Sequence, residues 1–114
     1  MLIDEGTASS AEIVSAAIGS AGRAELIGDT TFGTGTVLLN FDLPDGSAIR
    51  LAVERWLTPD GELIFGRGIQ PTIPVPLPVD EIPLDPNEVS QFAPADIPNL
   101  PDSQLRQAIE LLSP

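Results

Sequence analysis

The sequence contains no cysteine, no histidine, no lysine and no tyrosine. Each absence removes a class of chemistry. Without cysteine there is no disulfide and no thiolate nucleophile. Without cysteine and histidine there is no Ser-His or Cys-His pair and no zinc site of ordinary ligands. Without lysine there is no Ser-Lys dyad and no Schiff base. Carboxylates, water or a chain terminus are the bases that remain. Positive charge is also scarce. Arg23, Arg50, Arg55, Arg67 and Arg106 face 17 acidic residues, for a net charge of -12 and a pI of about 4.1. That balance argues against nucleic acid and anionic membrane surfaces as partners. No apolar run approaches the roughly 18 residues of a membrane helix. No basic segment followed by an apolar one opens the chain, so no secretory leader is read. Absence of cysteine identifies no compartment.

What is present describes a globular protein. Hydrophobic residues make up 42% of the 114, and mean hydropathy is +0.17, too apolar for disorder. The length fits one domain with a modest core. Composition changes near residue 70, with two prolines before it and ten after. Residues 1–70 read as a packed body and 71–114 as a proline-rich wrapping tail ending in a helix. Met1 to Asp4 reads as the end of a buried strand. Ser9 to Ala21 is the best helix, with Ile13, Val14, Ala17, Ile18 and Ala21 forming one apolar stripe. Ser9 and Glu12 have capping-box spacing, and Gly22 stands where a left-handed C-cap wants glycine. Ala24 to Ile27 is a short strand. Val37, Leu39, Phe41 and Leu43 alternate with more polar neighbours, as do Ile49, Leu51 and Val53 across Pro44-Asp45-Gly46-Ser47. This pattern predicts a half-buried hairpin. A further turn at Thr58–Gly61 leads to a Leu63–Phe65 strand. From Thr72 to Pro78 proline alternates with apolar residues, which permits only an edge strand or a polyproline-like segment. A last helix runs from about Asp102 to Leu112, with Leu105, Ile109 and Leu112 on one face.

The stretch Gly6-Thr7-Ala8-Ser9-Ser10-Ala11-Glu12 carries the most chemistry. A serine at a strand-to-helix turn points its hydroxyl at a cleft, near the positive end of a helix. Nucleophilic serines use that geometry, because backbone N–H groups there can hold a developing oxyanion. The same serine also fits as a plain helix cap. Gly28, Gly33 and Gly35 match no phosphate-binding pattern and read as a loop turning tightly beside the serine. Asp4-Glu5, Asp80-Glu81 and Asp85-Glu88 match no cation-binding spacing, so neither metal nor cofactor is expected. Trp56 and Phe65 read as core residues.

Several blocks of the sequence go further. "DEGTASSAEIVSAAI", "GRAELIGDTTFGTGTV", "LPDGSAIRLAVERWLTPDGELI" and "GIQPTIPV" occur in this order, and "LPDSQLRQAIELL" follows. Together they resemble the C-terminal processing, or tail-specific, serine peptidases, almost unbroken from Leu2 to Val75. The resemblance implies an α/β fold related to the Clp peptidase and crotonase cores. It implies a mixed sheet with a hairpin, one long N-terminal helix and a C-terminal helix. It places the nucleophile at Ser9, the first serine after "GTA". Ser10 and Ala11 follow, where the family often has alanine and then serine. The general-base lysine of "TFGKG" falls on Thr34, in "TFGTG", and the glutamine that orients it falls on Leu38. Asp29 matches an acidic position beside the same loop.

The nucleophile position is thus kept, and the base and its orienter are replaced. A serine hydroxyl needs a base within hydrogen-bond reach, and neither Thr34 nor Leu38 is one. Glu12 or Asp29 would be the carboxylate substitutes, but each has a competing role. The expectation is a fragment of a serine endopeptidase that acts near protein C-termini and is inactive as this chain alone. Two alternatives stand beside it. One is a non-catalytic homologue binding a peptide or apolar ligand in the cleft, as in the retinoid-binding proteins that resemble these peptidases. The other is a structural or assembly module. Family members carry a peptide-binding module and further core before this segment, so Met1 reads as an added start. Uncovered strand edges would favour a homodimer or higher oligomer. The resemblance implies protein or peptide C-termini as substrates and a periplasmic or cell-envelope setting.

Overall fold

The computed structural model describes residues 1–113. The first apolar run forms β1, Leu2–Ile3, and leads through a turn into helix α1, Ser10–Ser20. The chain returns as β2, Ile27–Gly28, shorter than the strand expected over Ala24 to Ile27. A third strand, β5 (Ile73–Pro74), joins after a long excursion, giving a parallel sheet in the order β1-β2-β5. The N–H groups of Ile27 and Asp29 donate to the carbonyls of Met1 and Ile3 at 2.9 and 3.0 Å. Those of Ile73 and Val75 donate to Leu26 and Gly28, both at 2.9 Å. Ile3, Ala16, Leu26, Ile64 and Ile69 form the core, with Trp56 packed against it.

Helix α1 ends as expected. Gly22 has φ 60°, and the Arg23 N–H returns to the Ile18 carbonyl at 3.1 Å. Its buried face differs from the apolar stripe. Glu12, Ser15 and Ala16 face inward, whereas Val14 is 49% exposed and Ala17 and Ala21 are exposed too. The helix is rotated by polar bonds that only its inner face can reach. The small Ser15, whose hydroxyl donates to the Ala11 carbonyl at 2.7 Å, lets it sit close.

The excursion between β2 and β5 contains the hairpin, β3 (Thr36–Asp42) and β4 (Ala48–Arg55). Leu39 pairs with Leu51 and Phe41 with Ile49, with a bulge between Val37 and Leu38. The half-buried hairpin is not observed. Leu39, Phe41, Ile49, Leu51 and Val53 are each 42–50% exposed. No other described helix or strand packs extensively on either face, so the alternation has no core to turn toward. The hairpin is an arm. The chain measures 63 Å along its longest axis, with a radius of gyration of 17.8 Å, against about 13 Å for a compact domain of this length. Antiparallel and parallel strands therefore lie in two separate sheets. The strand expected at Leu63–Phe65 reduces to one bridge between Leu57 and Leu63. Ile64 enters the core, but Phe65 is 46% exposed under the Arg55 guanidinium rather than buried.

After β5, the Leu77 N–H leaves the ladder and donates to Asp29 Oδ2 at 3.2 Å. The tail then forms a short helix α2, Pro86–Val89, a 3-10 turn at Ile97–Asn99, and helix α3, Ser103–Leu112. Asp102 caps α3 through the Leu105 N–H at 2.8 Å and also accepts the Leu84 N–H at 3.0 Å. α3 packs on β1 and β2. Its innermost side chain is Gln104, which donates to the Val75 carbonyl at 2.9 Å. Leu105 and Ile109 are half-buried, but Leu112 is 85% exposed, so the expected apolar face is only partly used. Among the described residues no helix is long and apolar enough to cross a membrane.

Candidate active site

The turn after β1 is closed by its own side chains. The Thr7 hydroxyl donates to Asp4 Oδ1 at 2.8 Å, and the Thr7 N–H donates to the Asp4 carbonyl at 3.0 Å. This delivers the chain to Ser9, which is exposed and has φ 56° and ψ -124°. Among the described residues it is the one non-glycine residue with positive φ. Holding an L-residue there costs on the order of 1–3 kcal/mol, so the surroundings must impose it. The expected capping box is present: the Ser9 side chain faces the Glu12 amide, short of strict hydrogen-bond geometry, and Glu12 Oε2 accepts the Ser9 N–H at 3.0 Å. The hydroxyl therefore makes no cap bond.

Glu12 does more than close a cap. It is 0% exposed, and each of its oxygens accepts two bonds. Oε1 takes the Thr31 hydroxyl and the Gly33 N–H, both at 2.6 Å. Oε2 takes the Ser9 N–H at 3.0 Å and the Thr34 N–H at 2.9 Å. None of these donors carries a charge. A buried carboxylate is tolerable when its lone pairs are filled by such bonds. Because one oxygen holds both amides, the backbone nitrogens of Ser9 and Thr34 lie within about 6 Å of each other. The structure thus brings together two of the three positions read from the sequence, Ser9 and Thr34. No hydrogen bond links Leu38 to them among the described residues. It sits on β3 beyond the bulge, opposite Ala52 and 43% exposed.

The loop that carries Thr34 is held from behind. The Phe32 N–H donates to the Thr7 carbonyl at 3.0 Å, and the Thr31 N–H to the Ile69 carbonyl at 3.1 Å. Gly33 has φ 82°, and a Cβ there would stand 2.9 Å from the Gly68 nitrogen. Only glycine fits that approach, as the tight loop beside the serine requires. Its N–H groups cradle a carboxylate of the chain itself. The two candidate substitute bases are engaged to different extents. Both Glu12 oxygens are engaged, and Asp29 Oδ2 holds the Leu77 N–H and, at 3.4 Å, Gln104 Nε2. An open cleft of about 1150 Å³ runs beside the Ser9 turn, bordered by Asp4, Glu5, Phe32, Leu77 and Glu81. The S-x-x-E spacing pointed to Glu12 only as a local cap. Nothing in the spacing shows that residues 31, 33 and 34 return to it.

The chain is similar to known proteins in sequence and in fold. The profile of peptidase family S41 matches residues 1–75. The chain is 47% identical over 78 residues to the carboxy-terminal processing protease CtpA of Bacillus subtilis, and 44% identical to CtpB of the same organism. Each match covers 68% of this chain but only 17% and 16% of those relatives. Among solved structures, a photosystem II D1 C-terminal processing protease superposes with a TM-score of 0.63 at 33% identity, over 79% of this chain and 23% of its own. Mature CPAF superposes with a TM-score of 0.57 at 26% identity, over 64% and 14%. With the profile covering well over half of its length, the chain belongs to peptidase family S41.

Proposed function

We propose that this chain is the nucleophile-bearing part of a C-terminal processing serine peptidase whose general base has been lost. The observation that carries this reading is the Glu12 clamp. One carboxylate oxygen holds the amides of Ser9 and Thr34, so the nucleophile and base positions stay together although position 34 has no basic group. Ser9 is exposed, and its hydroxyl makes no cap bond of strict hydrogen-bond geometry. With no lysine or histidine in the sequence, a second copy cannot supply a base of either type, and the chain is catalytically silent as it stands. In the active relatives' manner, the substrate would be the C-terminal end of a protein lying extended beside the site, in a compartment outside the cytoplasm. The uncovered arm of Leu39, Phe41, Ile49 and Leu51 supports association with a second copy.

The second reading is a non-catalytic homologue that binds a peptide or apolar ligand in the cleft. The substitutions at Thr34 and Leu38 favour it. Fluorophosphonate labelling separates the two, read by mass spectrometry at Ser9. The unaltered chain should not label. Thr34→Lys should label, and Ser9→Ala in that background should abolish it. Labelling of the unaltered chain would refute the loss of the base. No labelling in Thr34→Lys would refute the peptidase reading and leave the binding one.

A further inference from the structure

We propose that Thr31 is a positioning residue whose buried hydroxyl sets the roll of the Glu12 carboxylate, and through it the spacing of Ser9 from position 34. The inference rests on the reading of those two positions given above. Thr31 is 5% exposed. Its Oγ1 accepts the Ile69 N–H at 2.7 Å and donates to Glu12 Oε1 at 2.6 Å. A hydroxyl has one proton, so accepting from Ile69 aims that proton at Glu12. Thr31 is itself fixed, because its N–H reaches the Ile69 carbonyl and its own carbonyl lies against Gly68 too closely for any side chain there. The last torsion of a glutamate is broad and roughly two-fold. The two bonds on Oε2 alone leave that rotation soft. The Thr31 hydroxyl and the Gly33 N–H together pin Oε1, and Oε2 is then directed at both Ser9 and Thr34.

Amide hydrogen exchange by NMR tests this on the chain itself. In Thr31→Val the amides of Ser9 and Thr34 should exchange about tenfold faster relative to the β-ladder amides of Ile27 and Ile73, and Thr31→Ser should restore them. If Thr31→Val does not fold, Thr31→Cys, a weak donor, should give the same selective loss. Exchange that changes only in step with the ladder, or that Thr31→Ser fails to restore, would overturn the proposal. A second arm uses Thr34→Lys. Adding Thr31→Val should slow labelling of Ser9 about tenfold and adding Thr31→Ser should not; equal rates would overturn it. If Thr34→Lys never labels, the peptidase reading fails while the exchange result still decides the role of Thr31.

A separate observation carries a second inference: the outer edge of β5 is barred to an added strand from another copy of this chain. The N–H groups of Ile73, Val75 and Leu77 all point inward, to Leu26, Gly28 and Asp29. The alternate positions, whose N–H would face outward, are Pro74, Pro76 and Pro78, and all three are exposed. A ladder needs donors from both strands, and this edge has none along that run. Converting all three to threonine should raise the sedimentation mass with concentration and protect the new amides from exchange. If the new amides exchange freely while Ile73 and Val75 stay protected, the inference fails. If the triple variant loses the Ile73 and Val75 protection, Pro76→Thr alone is read in the same way.

Discussion

Replacing Glu12 with alanine removes four acceptor bonds at once from a fully buried side chain. The Gly33 N–H and the Thr31 hydroxyl are left buried, and the Ser9 and Thr34 amides are left partly buried. An orphaned buried donor costs about 1–3 kcal/mol. Two such donors set a range of about 2–6 kcal/mol, and the two partly buried amides add less because water reaches them. Relief of the cost of burying the carboxylate works in the other direction. The expected net loss is about 3–5 kcal/mol, a large part of the stability of an ordinary domain. Glu12→Gln separates acceptance from packing. It keeps the shape, but its NH₂ group would face two donors instead of accepting them, the Ser9 and Thr34 N–H groups on one side or the Thr31 hydroxyl and Gly33 N–H on the other. Glutamine should therefore cost nearly as much as alanine, at least about 2 kcal/mol. Urea unfolding followed through Trp56, the sole tryptophan and packed on the core, measures both. A loss below about 1 kcal/mol in both variants would refute the clamp.

Three further outcomes follow from other parts of the chain. Ser9→Gly should stabilise by about 0.5–1 kcal/mol, because the released strain at φ 56° exceeds the added chain entropy; a loss of stability in the same urea titration would show that Ser9 is not strained. Donors on Ser103, hydroxyl first and then amide, hold Glu81 below its ordinary 4.5, although only the amide reaches hydrogen-bond geometry, at 2.9 Å. Its folded-state value lies below its unfolded one, so this tie between tail and α3 is complete above pH 4.5 and is lost as pH falls through the lower value; a Ser103 amide shift titrating above 4.5 would contradict it. Leu39→Asp with Phe41→Ser should leave unfolding within about 0.5 kcal/mol of the parent, since both side chains are about half exposed. The same pair should abolish any concentration-dependent rise in sedimentation mass, and a rise that persists would remove the arm from the association.

Local features were legible because their causes are local. The helix boundaries, Gly22 at the end of α1 and the hairpin turn at Asp45-Gly46 each depend on a few neighbouring residues. The resemblance that aligned Ser9, Thr34 and Leu38 also lay in contiguous blocks. Burial was less legible. The stripe from Ile13 to Ala21 has helical spacing, but the helix turns Glu12 inward because its acceptors meet donors from residues 31, 33 and 34. The hairpin alternates correctly and yet buries neither face, because alternation states which side is apolar and not whether anything covers it.

By itself, the sequence determined the inventory of chemistry: the Ser9-Ser10 pair at a strand-to-helix turn, a glycine loop, no lysine and no histidine. It also determined that proline would occupy every second position from 74 to 78. Only the tertiary structure decided that Glu12 reaches across 19 to 22 residues to hold that loop against Ser9, and that Gln104, rather than a leucine, docks α3. The physical reason is the same in both cases. A buried polar group is stable only where its partners converge, and partners distant in sequence meet only once the chain has folded.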